Sequence, residues 1–406
     1  MPTAPRAVTA WRIAAIAALA GLAAAGHAWY GLRNKFFDLH IYAAAMRWWD
    51  DGHPLYDFAV PDATQGQLGY TYPPFAAIVM RPLAWITLGA ADVLSLIAAA
   101  AALLLVAYCL TARLADRLGQ PRWFLTGLAV PLLTGIEPIR VTVDFGQVNL
   151  LLMALVLGDL LILGPRRSRF AGVGVGLAAA IKLVPAIFIV YALATRRWRV
   201  AAVAAGTTVG ATLLAGALAP TESWRFWSQT LRNLTGIGQL EYFSNQSLLG
   251  ALARAGVPET ALWLALALPM CAFGLWRARR AAQAGDEITA IALVGLTGGL
   301  VSPVTWHHHL VWLAPAVASL ATAALLTRRR LLLAGTLACY ACLVFSPLAY
   351  YQDHLLHPGG IVRPLLVNWY VWLALLLVVV LPVTRPAARE DRAPHTEPTK
   401  DALVAG

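Results

Sequence analysis

Carboxylates, imidazoles and aromatic rings crowd into one stretch of this 406-residue chain: Phe36-Phe37-Asp38-Leu39-His40-Ile41-Tyr42, then Arg47-Trp48-Trp49-Asp50-Asp51-Gly52-His53-Pro54-Leu55-Tyr56, then Gly69-Tyr70-Thr71-Tyr72-Pro73-Pro74. Asp38 opens it. A carboxyl group half-buried at the edge of an apolar segment is harder to ionise, so its pKa moves toward the range of a general base. The same position suits a helix N-cap, where the side chain accepts a backbone N–H, and residue type alone leaves both roles open. Lys182 lies deep in an apolar run, where an ammonium either pairs with an anion such as a phosphate or carboxylate or snorkels to water. Trp306-His307-His308-His309 gathers three imidazoles. Adjacent helical residues point ~100° apart, so these rings are poorly placed to share one metal ion and better placed to bond an anionic group or to line a span end. Asp144-Phe145-Gly146-Gln147-Val148-Asn149 is either a capped turn or a source of side-chain amides for sugar hydroxyls.

The elements that position these groups are set by the solvent. The chain is 59% hydrophobic and 13% charged, about half the charged fraction of a soluble protein, so it is an integral membrane protein. Apolar runs extend from residue 11 to residue 383 with no soluble block between them, which predicts one integral-membrane domain over residues 1–384. Residues 385–406, rich in proline and charge, read as a disordered cytoplasmic tail. The net charge of +11 sits in short clusters between apolar runs, at residues 113–122, 166–169, 196–199, 277–280 and 328–330. That is the pattern of cytoplasmic loops, and it excludes a nucleic-acid surface. Cys109, Cys271, Cys339 and Cys342 all fall inside apolar runs, where packing is the expected role.

With the basic clusters as cytoplasmic markers, the first span runs from Trp11 to Tyr30, and residues 31–70 lie outside. Leu39, Tyr42, Ala43, Met46 and Trp49 form an apolar stripe, which predicts a short helix lying along the bilayer surface. Residues 75–89 are interrupted by Arg81-Pro82 and read as a broken or re-entrant pair. Spans follow at 93–111, 122–138 and 147–163. Residues 170–194 have basic clusters on both sides, so they read as a hairpin that enters and returns, with Ile181-Lys182-Leu183-Val184-Pro185 at its tip. Further spans fall at 199–219, 258–276, 288–304, 310–326, 331–348 and 365–384, for a total of about 10–12 spanning or re-entrant segments. The acids, amides and histidines then gather at the end opposite the basic clusters. Broken hydrophobic segments also occur in secondary transporters, the competing reading, but polar groups concentrated at one boundary favour an enzyme.

Taken in order, the motifs resemble a known family. Phe37-Asp38-Leu39-His40-Ile41-Tyr42, Gly52-His53-Pro54-Leu55-Tyr56, Thr71-Tyr72-Pro73-Pro74, Gly146-Gln147-Val148-Asn149, Ala180-Ile181-Lys182-Leu183-Val184-Pro185, Asn245-Gln246-Ser247-Leu248 and Ser302-Pro303-Val304-Thr305-Trp306-His307-His308-His309 are similar to those of glycosyltransferase family 87. These are polyprenol-phosphate-mannose-dependent mannosyltransferases of actinobacteria with the all-α, multi-spanning GT-C architecture. The resemblance implies an inverting α-(1→2) transfer of mannose from polyprenyl-phosphate mannose. The acceptor it implies is a phosphatidylinositol mannoside or related lipoglycan, and the site faces the extracytoplasmic side of the plasma membrane. It assigns the catalytic base to Asp38. Lys182 with His307 or His308 is expected to hold the donor phosphate. His40, Tyr42, Tyr72, Gln147, Asn149 and Asn245 are expected to contact the sugar or acceptor. No metal or other cofactor is expected, because no second acid sits beside Asp38 in an obvious ligand motif.

Overall fold

The structure, a computed structural model, describes residues 5–31, 33–62, 65–232, 238–352, 360 and 362–384; the tail from residue 385 lies outside them. In lipid, a chain must satisfy its backbone hydrogen bonds internally, so the apolar runs become helices. In chain order these are α1 (Pro5–Tyr30), α2 (Phe37–Asp50), α3 (Pro74–Met80), α4 (Leu88–Arg117), α5 (Arg122–Gly135), α6 (Glu137–Asp144), α7 (Asn149–Gly158), α8 (Val173–Ile181), α9 (Ile187–Ala194) and α10 (Trp198–Leu218). They continue as α11 (Pro220–Ser228), α12 (Leu248–Arg254), α13 (Thr260–Gln283), α14 (Glu287–Val301), α15 (Leu313–Thr327), α16 (Arg330–Val344), α17 (Pro347–Gln352), α18 (Val362–Val367) and α19 (Trp369–Val380). The strands among the described residues form one antiparallel pair, β1 (Ala59–Asp62) with β2 (Gly66–Gly69), in the register Ala59 to Gly69.

Among the described residues six helices are long and apolar enough to cross a membrane, and α5 with α6 makes a seventh candidate span bent by 75°. Shorter apolar helices fill in at 149–163, 184–194, 287–301 and 369–380. The protein is therefore an all-α, multi-pass membrane protein. Its most enclosed element is α14, buried from Thr289 to Leu300, which packs against α13, α15 and α19.

Residues 170–194 form the expected hairpin. Gly172 and Gly176 of the inward arm lie against Val200 and Ala204 of α10, so α8 and α10 run parallel. The return arm α9 ends only a short turn before α10 begins, so both ends of the hairpin reach one face. There Arg199 donates to the carbonyls of Arg167 at 2.7 Å and Ser168 at 2.6 Å. A Cβ at Gly176 would stand 2.5 Å from the Ala204 carbonyl oxygen, so glycine is what lets the hairpin wedge this closely. Contacts at the same end of the bundle join Arg12 to Gln120, Arg197 to Glu287, and Arg277 to the carbonyls closing α19. The basic clusters thus share one end of the molecule.

At the other end α2 buries Leu39, Ile41, Tyr42, Ala43, Ala45 and Met46, broadly the predicted stripe. The helix-cap reading of Asp38 is corrected. The cap position is Phe36, in a left-handed conformation at φ 58° with no side-chain bond, and Asp38 is already inside the first turn. The Asp144–Gly146 turn anchors this start. Phe36 N–H donates to the Asp144 carbonyl at 2.7 Å and Leu39 N–H to that of Phe145 at 3.1 Å. The Asp144 carboxylate takes the amides of Arg33 and Asn34 at 3.2 and 3.0 Å.

Gly146, at φ +66°, completes the anchor. A Cβ there would meet the Leu39 Cβ at 2.6 Å. Gly146→Ala combines that clash with the left-handed penalty of roughly 1–2 kcal/mol for an L-residue. The protein is expected to unfold at lower temperature in detergent, with activity at least tenfold below wild type at equal amounts in the membrane. Unaltered melting and activity would show that α2 does not depend on this contact.

Candidate active site

Five breaks in the helical framework meet at the non-basic end of the bundle. Asp38 comes from the first turn of α2, and Tyr72 from the extended segment that Pro73-Pro74 turns into α3. Gln147 sits in the two-residue gap between Gly146 and Asn149, where α7 begins. Lys182 lies at the hairpin tip, where its extended backbone (φ −145°, ψ 129°) ends α8. His308 and His309 belong to a 3-10 segment, His307–Trp312, that leads into α15.

A continuous hydrogen-bond network links these groups. Gln147 Nε2–H donates to Asp38 Oδ2 at 2.5 Å, and Gln147 Oε1 accepts from the Tyr72 hydroxyl at 2.9 Å. Tyr42 and Tyr72 join their hydroxyls at 3.1 Å. The Lys182 ammonium donates to Asn149 Oδ1 at 2.9 Å and to the Tyr72 hydroxyl at 3.4 Å, and lies 3.2 Å from His309 Nε2. Its three protons therefore meet only neutral acceptors, which solvate the charge without neutralising it. An anion entering here gains charge-assisted bonds.

The three histidines point three ways. His307 turns away from the cluster, with Nδ1 at 2.5 Å from Ser244 Oγ and Nε2 at 3.4 Å from Glu137 Oε1. His308 stacks on Phe145, ring centroids 4.9 Å apart, and sets Nε2 at 3.8 Å from Asp38 Oδ2. Both of its ring nitrogens are buried without a hydrogen-bond partner, a costly state that a ligand hydroxyl beside Asp38 would relieve. His309 is the ring beside Lys182. The His308 carbonyl is gripped by Thr142 Oγ1–H at 2.7 Å and Asn149 Nδ2–H at 3.2 Å, which fixes the segment's height in the site.

The structure thus brings together Asp38, Tyr42, Tyr72, Gln147, Asn149, Lys182 and His308 from among the residues expected from sequence. Three others have different partners. His40 Nε2 bonds Asp92 Oδ1 at 2.8 Å and ties α2 to α4. Asn245 is fully buried, with Oδ1 accepting from Thr305 N–H at 3.0 Å and Nδ2–H donating to the Leu240 carbonyl at 3.0 Å. It therefore holds the loop before the histidines. His307, through Ser244 and Glu137, does the same from the other side. The amides of Gln147 and Asn149 are likewise engaged, the first aiming Asp38 and the second Lys182.

Sequence reasoning named His309 only as one of three imidazoles, without a role of its own, and missed Glu137 and Asp159. Glu137 is 1% exposed and accepts the Tyr370 hydroxyl at 2.5 Å. Asp159 accepts the amides of Gly172 at 2.7 Å and Val175 at 2.9 Å, capping the inward arm of the hairpin. The available signal was an acid inside an apolar run, which is costly and therefore has a partner. Among the described residues, no three His, Cys, Asp or Glu side chains converge in a metal-binding group.

Burial raises the Asp38 carboxyl from its ordinary value to about 6, opposed by the Gln147 hydrogen bond and the Lys182 charge. A base at this value is ionised at neutral pH yet retains proton affinity.

An all-α membrane protein that gathers a carboxylate, an ammonium bonded to neutral groups and unpaired imidazole nitrogens into one buried cluster holds the groups that acid–base and anion-binding chemistry needs. The profile of glycosyltransferase family 87 matches residues 70–303. The polyprenol-phosphate-mannose-dependent alpha-(1-2)-phosphatidylinositol mannoside mannosyltransferase of Mycolicibacterium smegmatis is 35% identical over 398 residues, covering 92% of this chain and 89% of the relative. Its Mycobacterium tuberculosis counterpart is 35% identical over 384 residues, covering 90% and 89%. A phosphatidylinositol pentamannoside mannosyltransferase of Mycolicibacterium smegmatis is 36% identical over 291 residues, covering 69% and 68%. No solved structure matches the chain. The chain belongs to glycosyltransferase family 87 and is a glycosyltransferase.

If Asp38 must be ionised to work, kcat/KM falls about tenfold per unit below about pH 6, as the carboxylate takes up its proton. Asp38→Asn removes that limb and lowers the rate by roughly 10²–10⁴-fold. A pH–rate profile that is flat through this range would exclude the carboxylate from the rate-limiting step.

Proposed function

We propose that the protein transfers mannose from polyprenyl-phosphate mannose to a phosphatidylinositol mannoside, forming an α-(1→2) linkage with inversion at the anomeric carbon. The observation that carries this reading is the pairing, in one buried cluster, of a carboxylate of raised proton affinity with an ammonium that, among the described residues, bonds only neutral groups. The names of the relatives that match nine-tenths of the chain give polyprenol-phosphate mannose, the alpha-(1-2) linkage and phosphatidylinositol mannoside, which supports this donor and acceptor.

The acceptor hydroxyl oxygen bonds to the anomeric carbon as the bond from that carbon to the phosphate oxygen breaks. The hydroxyl proton passes to Asp38. The phosphate leaves with the bonding electron pair, and Lys182 stabilises it with a charge-assisted hydrogen bond. His309, beside Lys182, lines the same phosphate position. His308 Nε2, next to Asp38, bonds a hydroxyl of the sugar being joined, and the hydroxyls of Tyr42 and Tyr72 form the floor. Gln147 and Asn149 act by holding Asp38 and Lys182 in register, so that donor and acceptor meet in a near-attack arrangement.

The reaction runs without a metal, because the leaving phosphate has an ammonium and the acceptor has its own base. Residues 1–384 work as one domain in the plasma membrane. The excess of arginine at the opposite end supports, by the positive-inside rule, a site on the extracytoplasmic side.

Radiolabelled mannose is expected to move from polyprenyl-phosphate mannose to a phosphatidylinositol mannoside in wild-type membranes, to fall by at least 10²-fold with Asp38→Asn, and to be unaffected by EDTA. Transfer to water alone, or no transfer with both lipids present, would contradict the assignment. Loss of activity in EDTA that added Mg²⁺ or Mn²⁺ restores would contradict metal independence. In intact cells a membrane-impermeant thiol reagent should label Asp51→Cys and spare Arg167→Cys, two exposed positions at opposite ends. The reverse pattern would invert the orientation.

A further inference from the structure

A cavity of about 300 Å³ opens at the arginine-rich end of the bundle, lined by Trp276, Arg277, Arg280, Ala284 and Val383. It lies where the last turns of α13 meet the residues that follow α19, and its volume is at the low end of those that hold small ligands. Its two arginines are held differently. Arg277 reaches across to α19, with Nη1–H donating to the carbonyls of Val378 at 2.7 Å and Val379 at 2.6 Å and Nη2–H to that of Leu381 at 2.7 Å. The Val378 and Val379 carbonyls are among those that a helix end leaves without an intrahelical donor, so this guanidinium is fixed in the cavity wall. Arg280 is exposed and lies over Trp276, its guanidinium carbon 5.7 Å from the ring centroid. Among the described residues neither arginine forms an ion pair. The acids nearest in sequence are engaged elsewhere. Asp286 accepts from the backbone N–H and hydroxyl of Thr289 at 3.2 and 2.8 Å and from those of Thr384 at 2.8 and 2.7 Å. Glu287 is held by Arg197 at 2.6 and 2.5 Å and by Tyr191 at 2.8 Å.

The location narrows the choice of anion. Trp276, 54% exposed, and Arg280 stand on successive turns of α13 just before it ends at Gln283, the pairing of aromatic ring and cation that marks the headgroup layer of a bilayer. Basic pockets between spans at that depth bind anionic lipid head groups, and the planar fork of arginine takes two phosphate oxygens together. One turn back along α13, toward the membrane interior, Phe273 is 37% exposed with its ring centroid 5.8 Å from that of Trp276. An apolar face thus leads from the cavity into the lipid. A free phosphate has no use for that face, whereas an acyl chain does.

We propose that this cavity binds the headgroup phosphate of an anionic phospholipid from the leaflet at the arginine-rich end. Arg280 bonds the phosphate oxygens, Arg277 supplies a second charge fixed in the wall, and the Trp276–Phe273 face carries an acyl chain. The lipid is a ligand separate from the donor and acceptor of the transfer reaction, at the opposite end of the bundle from Asp38, and the inference stands without the mannosyltransferase reading. Once bound, it ties α13 to the end of α19.

The test titrates the full-length protein in detergent with phosphatidylglycerol, phosphatidylcholine and glycerol 3-phosphate, reading lipid occupancy by native mass spectrometry and the melting temperature alongside. Phosphatidylglycerol is expected to bind more tightly than phosphatidylcholine and to raise the melting temperature. Arg280→Gln should weaken phosphatidylglycerol binding about tenfold, the loss expected for one charge-assisted hydrogen bond, without changing the melting of the lipid-free protein, and Arg280→Lys should recover part of that loss. Arg330→Gln, which removes an exposed arginine at the same end of the bundle, should leave binding as it is. Binding that Arg280→Gln leaves unchanged overturns the proposal. An equal loss with Arg330→Gln would mean diffuse attraction to a basic surface, and displacement of the lipid by glycerol 3-phosphate would mean a site for soluble phosphates; either result also overturns it. Glu390 and Asp391 follow Val383 within the same chain, and Glu390→Gln with Asp391→Asn should leave lipid affinity at the wild-type value. A tenfold rise there would make the chain's own acids the occupant and overturn the lipid assignment.

Discussion

Asp38 and Lys182 are groups of opposite charge type held inside a largely apolar protein, and the surrounding framework keeps them from collapsing onto each other. An unpaired ion in such surroundings is strongly disfavoured. A direct ion pair would be tolerated but would leave nothing for a substrate to bond. Gln147 and Tyr72 bridge them, and Asn149 holds Lys182 from the side. Each charge is thereby solvated by neutral dipoles, and the couple is kept apart at the distance the network sets. A donor phosphate and an acceptor hydroxyl then find a cation and a base that are already oriented, which is how a fixed polar environment lowers a barrier.

That arrangement explains why the site is made of breaks. A regular helix in lipid consumes its own polar groups, so functional side chains cluster where helices start, stop or kink, and such backbone survives only where protein surrounds it. Asp38 lies two residues after left-handed Phe36, Tyr72 precedes two prolines, Gln147 follows a positive-φ glycine, Lys182 sits at a hairpin tip and His308 lies in a 3-10 turn. Each break is secured by groups outside the pocket. Asp144 pins α2, Asp159 caps α8, and Ser244 with Glu137 turns His307 outward so that His308 and His309 face in.

Much of this was legible in the sequence because lipid leaves few alternatives. The apolar runs, the hairpin between two basic clusters, the amphipathic α2 and the break at Arg81-Pro82 follow from hydropathy and charge. The pocket was legible in part. Asp38, Lys182, Tyr72 and Gln147 stood out as polar groups in ordered motifs, and the network joins them. What the sequence could not rank was direction. Three successive histidines look alike in a string, yet the 3-10 geometry sends each to a different partner and gives His309 the place beside Lys182. His40 and Asn245 sit in motifs as distinctive as that of Asp38, and their partners, Asp92 and Thr305, are 52 and 60 residues away. Contacts at that separation depend on packing, which no local pattern encodes.

The most direct test of Asp38 as the base removes the need for a base. Azide attacks an anomeric carbon without surrendering a proton, so Asp38→Ala supplied with polyprenyl-phosphate mannose and azide should release polyprenyl phosphate and form mannosyl azide of inverted configuration. Wild-type protein with its natural acceptor should form little. An Asp38→Ala protein that binds the donor normally but yields no azide adduct would show that Asp38 supports the pocket and does not take the proton.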